Sequence, residues 1–243
     1  MIVYKFDGTK EGLLTCLYHR FVDKQEPEFI YSTTFQPTFD CNVIEIQTEK
    51  EQAQRAKKGL IKLGGVDFLT QLFAPLRSYD GQKENVVFQV AALCLKNRKN
   101  VLDDYSDPLI LYHYDLCRKI SNEAHRIKGF LRFTECRGGY YAEFEPDNDI
   151  LDIIAPHFLR RFPTEKLIIR DKKRNLIAAC NGKECKIAPC DATFSIILAD
   201  DELTFRSLFK TYFNAVNIES RKNKKLQNNY LPRRYRRNMT EFN

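Results

Sequence analysis

The chain has 243 residues, of which 39 are Lys or Arg and 32 are Asp or Glu, leaving a formal charge of +7. Hydrophobic residues at 43% with 18 Phe and 12 Tyr exclude a disordered chain, and 10 Gly with 9 Pro are too few for a low-complexity one. No uncharged run exceeds 11 residues, well short of the roughly 18 that span a bilayer.

The size admits one large domain or two packed lobes. The N-terminal Met1-Ile2-Val3-Tyr4-Lys5-Phe6-Asp7 lacks the long apolar stretch of a signal peptide, so a soluble, cytoplasmic protein without a membrane partner is expected. Ile2 to Phe6 reads as a short strand closed by the turn Asp7-Gly8. Leu13, Leu14, Leu17, Tyr18 and Phe21 then recur on one helical face. Phe29-Ile30-Tyr31 and Val43-Ile44-Glu45-Ile46 are β-prone pieces around a Pro37 loop.

Helices follow in series. Gln52 to Lys62 is mostly polar, Val66 to Arg77 presents Leu69, Leu72, Phe73 and Leu76, and Glu84 to Lys96 presents Val86, Val87, Val90, Ala91 and Cys94. Gly64-Gly65 reads as a turn. After the start signal Pro108, Leu109 to Ile127 continues with Leu116, Ile120, Ala124 and Ile127 on one face.

At Lys128-Gly129 the apolar period changes from 3.6 to 2, and two strands joined at Gly138-Gly139 are expected. If Phe133 faces Tyr140, Leu131 faces Ala142, and the opposite side gathers Phe130, Arg132, Tyr141 and Glu143. That side is either covered by a helix or carries a site; the sequence does not choose. Asp149 is the expected N-cap of a helix from Ile150 to Arg161, bent or restarted at Pro156 and ended by Pro163. A hairpin is expected from Leu167-Ile168-Ile169 and Leu176-Ile177-Ala178-Ala179 around Asp171 to Asn175, then a strand at Phe194 to Leu198. A last helix opens at Asp200, Asp201 and Glu202 and sets Leu208, Phe209, Tyr212, Phe213 and Val216 on its core face. The expectation is an α+β fold with a helix-rich N-terminal half and a mainly antiparallel sheet with helices in the C-terminal half. It divides into a helix-rich lobe with short N-terminal strands over 1–127, an α+β lobe packed against it over 128–217, and a basic segment over 218–243.

Eight cysteines contain no Cys-x-x-Cys pair. Cys16, Cys94 and Cys117 lie on apolar helical stretches, and Cys180, Cys185 and Cys190 repeat at a spacing of five, wider than the two to four residues usual between paired zinc ligands. Reduced thiols are expected, with no metal site and no cofactor. The Cys-x3-Cys-x2-Cys pattern of a radical SAM enzyme is also absent.

Residues 218–243 hold eight basic side chains against Glu219 and Glu241. Arg221, Lys222, Lys224, Lys225, Arg233, Arg234, Arg236 and Arg237 alternate with Asn223, Gln227, Asn228, Asn229, Tyr230 and Tyr235, side-chain types that contact phosphates and stack on bases. A solvated tail or a docking edge for an acidic protein would have the same composition. Leu226, Tyr230, Leu231 and Tyr235 suggest that part of the segment packs back on the body. Arg160 and Arg161 could extend the basic surface. His125 and Glu143 are the weaker candidates for acid–base work, because His exchanges protons near neutrality. At a helix C-terminus, however, His125 is equally explained by the dipole. No phosphate loop, nucleophile elbow, zinc helix or dinucleotide fingerprint occurs.

Several segments taken together resemble a known family. They are Tyr4-Lys5-Phe6-Asp7-Gly8 with Gly12-Leu13-Leu14, His125 to Phe133, Tyr140 to Pro146, Asp149-Ile150-Leu151, Ala155-Pro156-His157-Phe158 and Arg160-Arg161-Phe162-Pro163. The C-terminal match is Tyr212-Phe213, Ile218, Arg221, Asn223, Leu226-Gln227 and Pro232-Arg233-Arg234-Tyr235. The set is similar to the bacterial "probable DNA metabolism protein" family, a domain of unknown function linked to a radical SAM protein and often fused to a uracil-DNA-glycosylase-like domain. Residues 28–110 match weakly. The chain lacks the Trp residues that this family carries near Leu167, Phe209 and Arg236, so no stacking role there is carried over. It also reaches Asn243 without a glycosylase-like domain, so base excision is not expected of it. The resemblance implies an accessory of DNA repair or modification, with DNA (RNA not excluded), a radical SAM protein and a uracil-DNA-glycosylase-like protein as partners. The alternatives are an enzyme acting on a nucleotide or damaged base through His125 and Glu143, and a protein-binding adaptor without nucleic-acid affinity.

Overall fold

The computed structural model describes residues 2–32, 41–191 and 193–242; the expected Pro37 loop lies outside them. The chain divides into two compact units, Met1–Ile120 and Ser121–Asn243.

The first unit opens with β1 (Ile2–Lys5), α1 (Lys10–Val22), β2 (Phe29–Tyr31) and β3 (Asn42–Glu45), the strands forming a parallel sheet in the order β2-β1-β3. Parallel neighbours need a crossover, and α1 supplies the one between β1 and β2. Thr9 caps α1 by accepting a hydrogen bond from the Gly12 N–H at 2.9 Å. Next come α2 (Lys50–Phe73), a 3-10 turn at Ala74–Arg77, α3 (Lys83–Asn97) and α4 (Pro108–Phe130), whose Ile120–Ser121 bond is the unit boundary. The two helices expected over 52–62 and 66–77 are both present, joined within α2 across a kink, with Ala74–Arg77 as the 3-10 turn that follows. The break is Gly65, at φ 80° and ψ −169°, a backbone region essentially confined to glycine. Tyr4, Leu13, Leu17, Leu60, Leu72 and Phe88 are at the centre of this unit's core.

The second unit contains β4 (Thr134–Cys136), β5 (Gly139–Phe144), α5 (Leu151–Arg161), β6 (Leu167–Asp171), β7 (Leu176–Cys180), β8 (Cys185–Pro189), α6 (Glu202–Ala215) and α7 (Lys224–Tyr230). The five strands pair in chain order, antiparallel except for β5 with β6, where α5 makes the crossover and packs on β6, β7 and β8. The class is therefore α+β as expected, with helices dominating the first half and a largely antiparallel sheet in the second.

Several local expectations are corrected. The period change at Lys128-Gly129 does not end α4, which runs to Phe130, so the hairpin is shorter than expected. Tyr140 pairs with Glu135 rather than Phe133; a shift of two residues keeps the alternation of β5, while Phe130 belongs to α4 and 131–133 precede β4. The turn is Arg137-Gly138, with Gly138 at φ 96°. Gly139 begins β5, where a Cβ would lie 2.4 Å from the Lys166 carbonyl oxygen. Ile150, not Asp149, is the N-cap of α5, and that helix runs through Pro156 without restarting. Phe194 to Leu198 forms a single bridge, Leu198 to Cys136, in place of a strand. The unforeseen edge strand β8 pairs with β7 instead, and the register sets Cys180 opposite Cys185. Those two are joined in a disulfide rather than held as thiols. Finally, the expected core face of α6 is exposed, with Leu208 59% and Tyr212 62% accessible.

Candidate functional site

Charge divides unevenly between the units. The first holds 16 Lys and Arg against 16 Asp and Glu, the second 23 against 16, so the whole surplus of +7 belongs to residues 121–243. Within the second unit the cations converge on a pocket of about 360 Å³. Its floor is β4 and β5, through Thr134, Tyr141 and Glu143; one wall is α6, through Arg206 and Lys210; the remaining wall is Arg237, Asn238 and Thr240 of the C-terminal segment, with Arg132 beside them. Glu143 is the only carboxylate lining it among the described residues.

Several of these groups are set by identifiable partners. Arg132 pairs with Glu241 at 2.7 Å and donates to the Gly129 carbonyl at 3.1 Å. Arg206 Nε pairs with Glu202 Oε1 at 2.7 Å, one turn back on α6, and its Nη2 donates to Thr134 Oγ1 at 2.8 Å. Glu202 is buried, and its second oxygen accepts from the Glu135 N–H at 2.9 Å, which ties α6 to β4. Tyr141 is buried and donates to Glu143 at 2.8 Å; burial first, then that carboxylate, pushes its hydroxyl up to about 12. Asn238 donates to the Glu143 backbone carbonyl at 3.0 Å. Lys210 is exposed and makes no ion pair among the described residues. Such a pocket, cationic with hydroxyl and amide groups, complements a phosphate-bearing ligand.

The C-terminal wall is seated by Glu123. This buried carboxylate accepts from the Asp147 N–H at 3.0 Å, the Asn148 N–H at 2.8 Å, the Asn148 side chain at 2.6 Å and the Tyr235 hydroxyl at 2.7 Å. Arg234 lies over the Tyr235 ring, 4.8 Å from its centroid, and pairs with Asp147. Leu231, Tyr235 and Met239 are buried, while Leu226 and Tyr230 are exposed.

The sequence candidates therefore fall into three groups. Arg237 is in the pocket wall. Arg221, Lys224, Lys225 and Arg233 are exposed without an ion pair among the described residues, and Lys222 pairs with Glu219. Arg234 and Arg236 serve the segment's own fold, Arg236 by donating to Asn228 at 2.8 Å and to the Leu231 carbonyl at 3.1 Å. Arg160 and Arg161 are exposed at the end of α5, outside the pocket wall. His125 is exposed on α4 with no hydrogen bond or ion pair among the described residues, while Glu143 is engaged by Tyr141 and by Lys172 at 3.4 Å. The structure does not bring His125 and Glu143 together as a hydrogen-bonded pair. Among the described residues no three His, Cys, Asp or Glu side chains are placed to hold a metal ion, and no helix is long and apolar enough to cross a membrane.

A family model described as a domain of unknown function, DUF4130, matches residues 81–241. The chain belongs to the DUF4130 family. The DUF4130 match takes in every residue of the pocket. No curated protein and no solved structure matches the chain. Sequence reasoning grouped Arg132, Tyr141 and Glu143 on one face of this DUF4130 domain but missed Arg206, Lys210, Asn238 and Thr240. Those residues sit on helices or turns far along the chain, and only an unpaired cation on an amphipathic helix, Lys210, was a readable signal.

Proposed function

We propose that this DUF4130 protein binds nucleic acid through its second unit and serves DNA repair or modification as an accessory rather than as an enzyme. The observation that carries the reading is the pocket lined by Arg132, Arg206, Lys210 and Arg237, in which Lys210 makes no ion pair among the described residues, within a unit that holds the whole charge surplus. Exposed Arg221, Lys224, Lys225 and Arg233 extend the cationic surface. The resemblance to the DNA metabolism family supplies the rest: the chain presents DNA to a radical SAM enzyme, with a uracil-DNA-glycosylase-like protein as a further partner.

The test is binding of labelled DNA and RNA oligonucleotides by anisotropy across a salt series. If Lys210, Arg221, Lys224, Lys225 and Arg233 each neutralise one phosphate of a duplex, log affinity falls with log salt at a slope of about −4.5. Lys210→Glu with Arg233→Glu should flatten that slope by about 2. Salt-independent binding, or no binding by the unaltered protein, refutes the reading. Co-purification of a radical SAM partner without any nucleic-acid affinity would leave only an adaptor.

A further inference from the structure

Helix α6 carries a second side that the pocket does not use. Phe205, Phe209 and Tyr212 recur at i, i+4 and i+7 and so share one stripe, and they are 55%, 38% and 62% exposed. Over about 10 Å of helix axis three aromatic rings are partly exposed to solvent, with Phe209 and Tyr212 centroids 6.5 Å apart and tilted by 39°. Leu208 and Val216 flank the stripe and are exposed as well. The adjoining side of the same helix turns Arg206 and Lys210 into the cationic pocket. The acidic residues lie at the helix N-terminus: Glu202 is buried against Arg206, Asp200 faces Arg137 at 3.8 Å, and Asp201 is the exposed N-cap. The chain leaving α6 adds exposed Arg221, Lys224, Lys225 and Tyr230.

An apolar helix stripe ordinarily faces a core. This one is bare, aromatic and bordered by cations, which fits a ligand with flat apolar faces joined by anionic links. Unpaired bases on a phosphate backbone have that chemistry, whereas in a duplex the base faces are hidden in the stack. We propose that α6 and the pocket beside it form a site for single-stranded nucleic acid, bases stacking on Phe205, Phe209 and Tyr212 while Lys210, Arg206 and Arg237 hold phosphates. This inference rests on the nucleic-acid reading above and goes beyond it by naming the strandedness of the ligand.

The experiment compares the full chain with a Phe205→Ala, Tyr212→Ala variant on a 12-nucleotide single strand and the matching duplex, by anisotropy at several salt concentrations. The single strand should bind at least tenfold tighter than the duplex, with a salt slope of about −2 for the three phosphates held by Lys210, Arg206 and Arg237. The variant should lose roughly tenfold or more in single-strand affinity for each ring removed, keep its melting temperature, and leave the salt slope unchanged. Phe205→Trp with Tyr212→Trp should restore binding. Duplex bound as tightly as single strand overturns this inference and leaves the nucleic-acid reading standing; no salt-dependent binding to either overturns both. Unchanged single-strand affinity in the alanine variant, with or without a change of oligomeric state in sedimentation, overturns the stacking role and assigns the stripe to protein contacts.

Discussion

Replacing Tyr235 by Phe removes one hydroxyl from the buried carboxylate that seats the C-terminal segment. The hydroxyl donates to Glu123 at 2.7 Å and accepts from Arg234 at 2.8 Å. Burial first, then Glu123, raises the phenol well above its ordinary range, so it remains a donor throughout the accessible pH. A hydrogen bond to a charged group contributes about 1.5–3 kcal/mol. Glu123 retains its three other donors in the Phe variant, which places the expected loss near 2 kcal/mol. Glu123→Gln should cost more. One oxygen serves the Asp147 N–H and Tyr235, the other serves the Asn148 N–H and side chain, so an amide NH2 faces two donors whichever way it turns. Two bonds are lost, about 3 kcal/mol or more, a sizeable part of the ~5–15 kcal/mol typical of a folded domain. Urea denaturation followed by far-UV circular dichroism gives the free energies, and hydrogen exchange at residues 233–242 localises the effect. A Tyr235→Phe variant within 0.5 kcal/mol of the parent (about the limit for an inert substitution), with unchanged exchange, would refute the seating role of Glu123.

Gly65→Ala should destabilise the first unit by about 1–3 kcal/mol, because φ 80° with ψ −169° excludes a side chain; an unaltered melting temperature would contradict that geometry. His113 is buried with Nε2–H donating to the Leu72 carbonyl at 3.0 Å, and burial lowers its pKa despite that bond. Its contribution to stability is therefore fully present above the ordinary His value of about 6.5 and is lost as pH falls through the lowered folded value. Thermal melts between pH 7.5 and 5 should decline accordingly, with a shallower decline in His113→Gln. His157 is also lowered, by partial burial and then by Lys128, Arg160 and Arg161; side-chain NMR titration should find Arg160→Gln with Arg161→Gln shifting it upward. Denaturing alkylation without reductant should modify six cysteines, Cys16, Cys41, Cys94, Cys117, Cys136 and Cys190, and eight after reduction. Eight before reduction would remove the Cys180–Cys185 bond.

The helices were legible because their apolar residues repeat at 3.6 and their ends carry Pro108 and Pro163. The β6–β7 hairpin was legible from two apolar runs around a polar turn. Edge structure was not. Cys185–Pro189 is exposed over most of its length and so has no alternation to read, whereas Phe194–Leu198 has strand composition but finds a partner at one residue only. Gly129 was read as a stop, yet tertiary context carries α4 one residue past it. For the site, period two placed Arg132, Tyr141 and Glu143 together even though the register was misjudged by two residues. Glu123 was invisible as an anchor, because its donors lie 24 to 112 residues away. The stripe on α6 marks the limit of periodicity: a pattern reports that a helix has an apolar side and is silent on what covers it.

The seating of Leu231, Tyr235 and Met239 bears on how the basic segment would meet the nucleic acid proposed above. A disordered basic tail loses about 1–2 kcal/mol of backbone entropy for each residue it orders on its ligand, and such binding shows the large negative heat-capacity change of coupled folding. Arg233 and Arg237 each lie two residues from buried side chains on either side, Leu231 and Tyr235 for the first and Tyr235 and Met239 for the second, so that ordering cost belongs to folding rather than to association. The proposed encounter would then be closer to docking against a fixed array of charges than to a tail wrapping its partner, and its heat capacity would report contact surface alone.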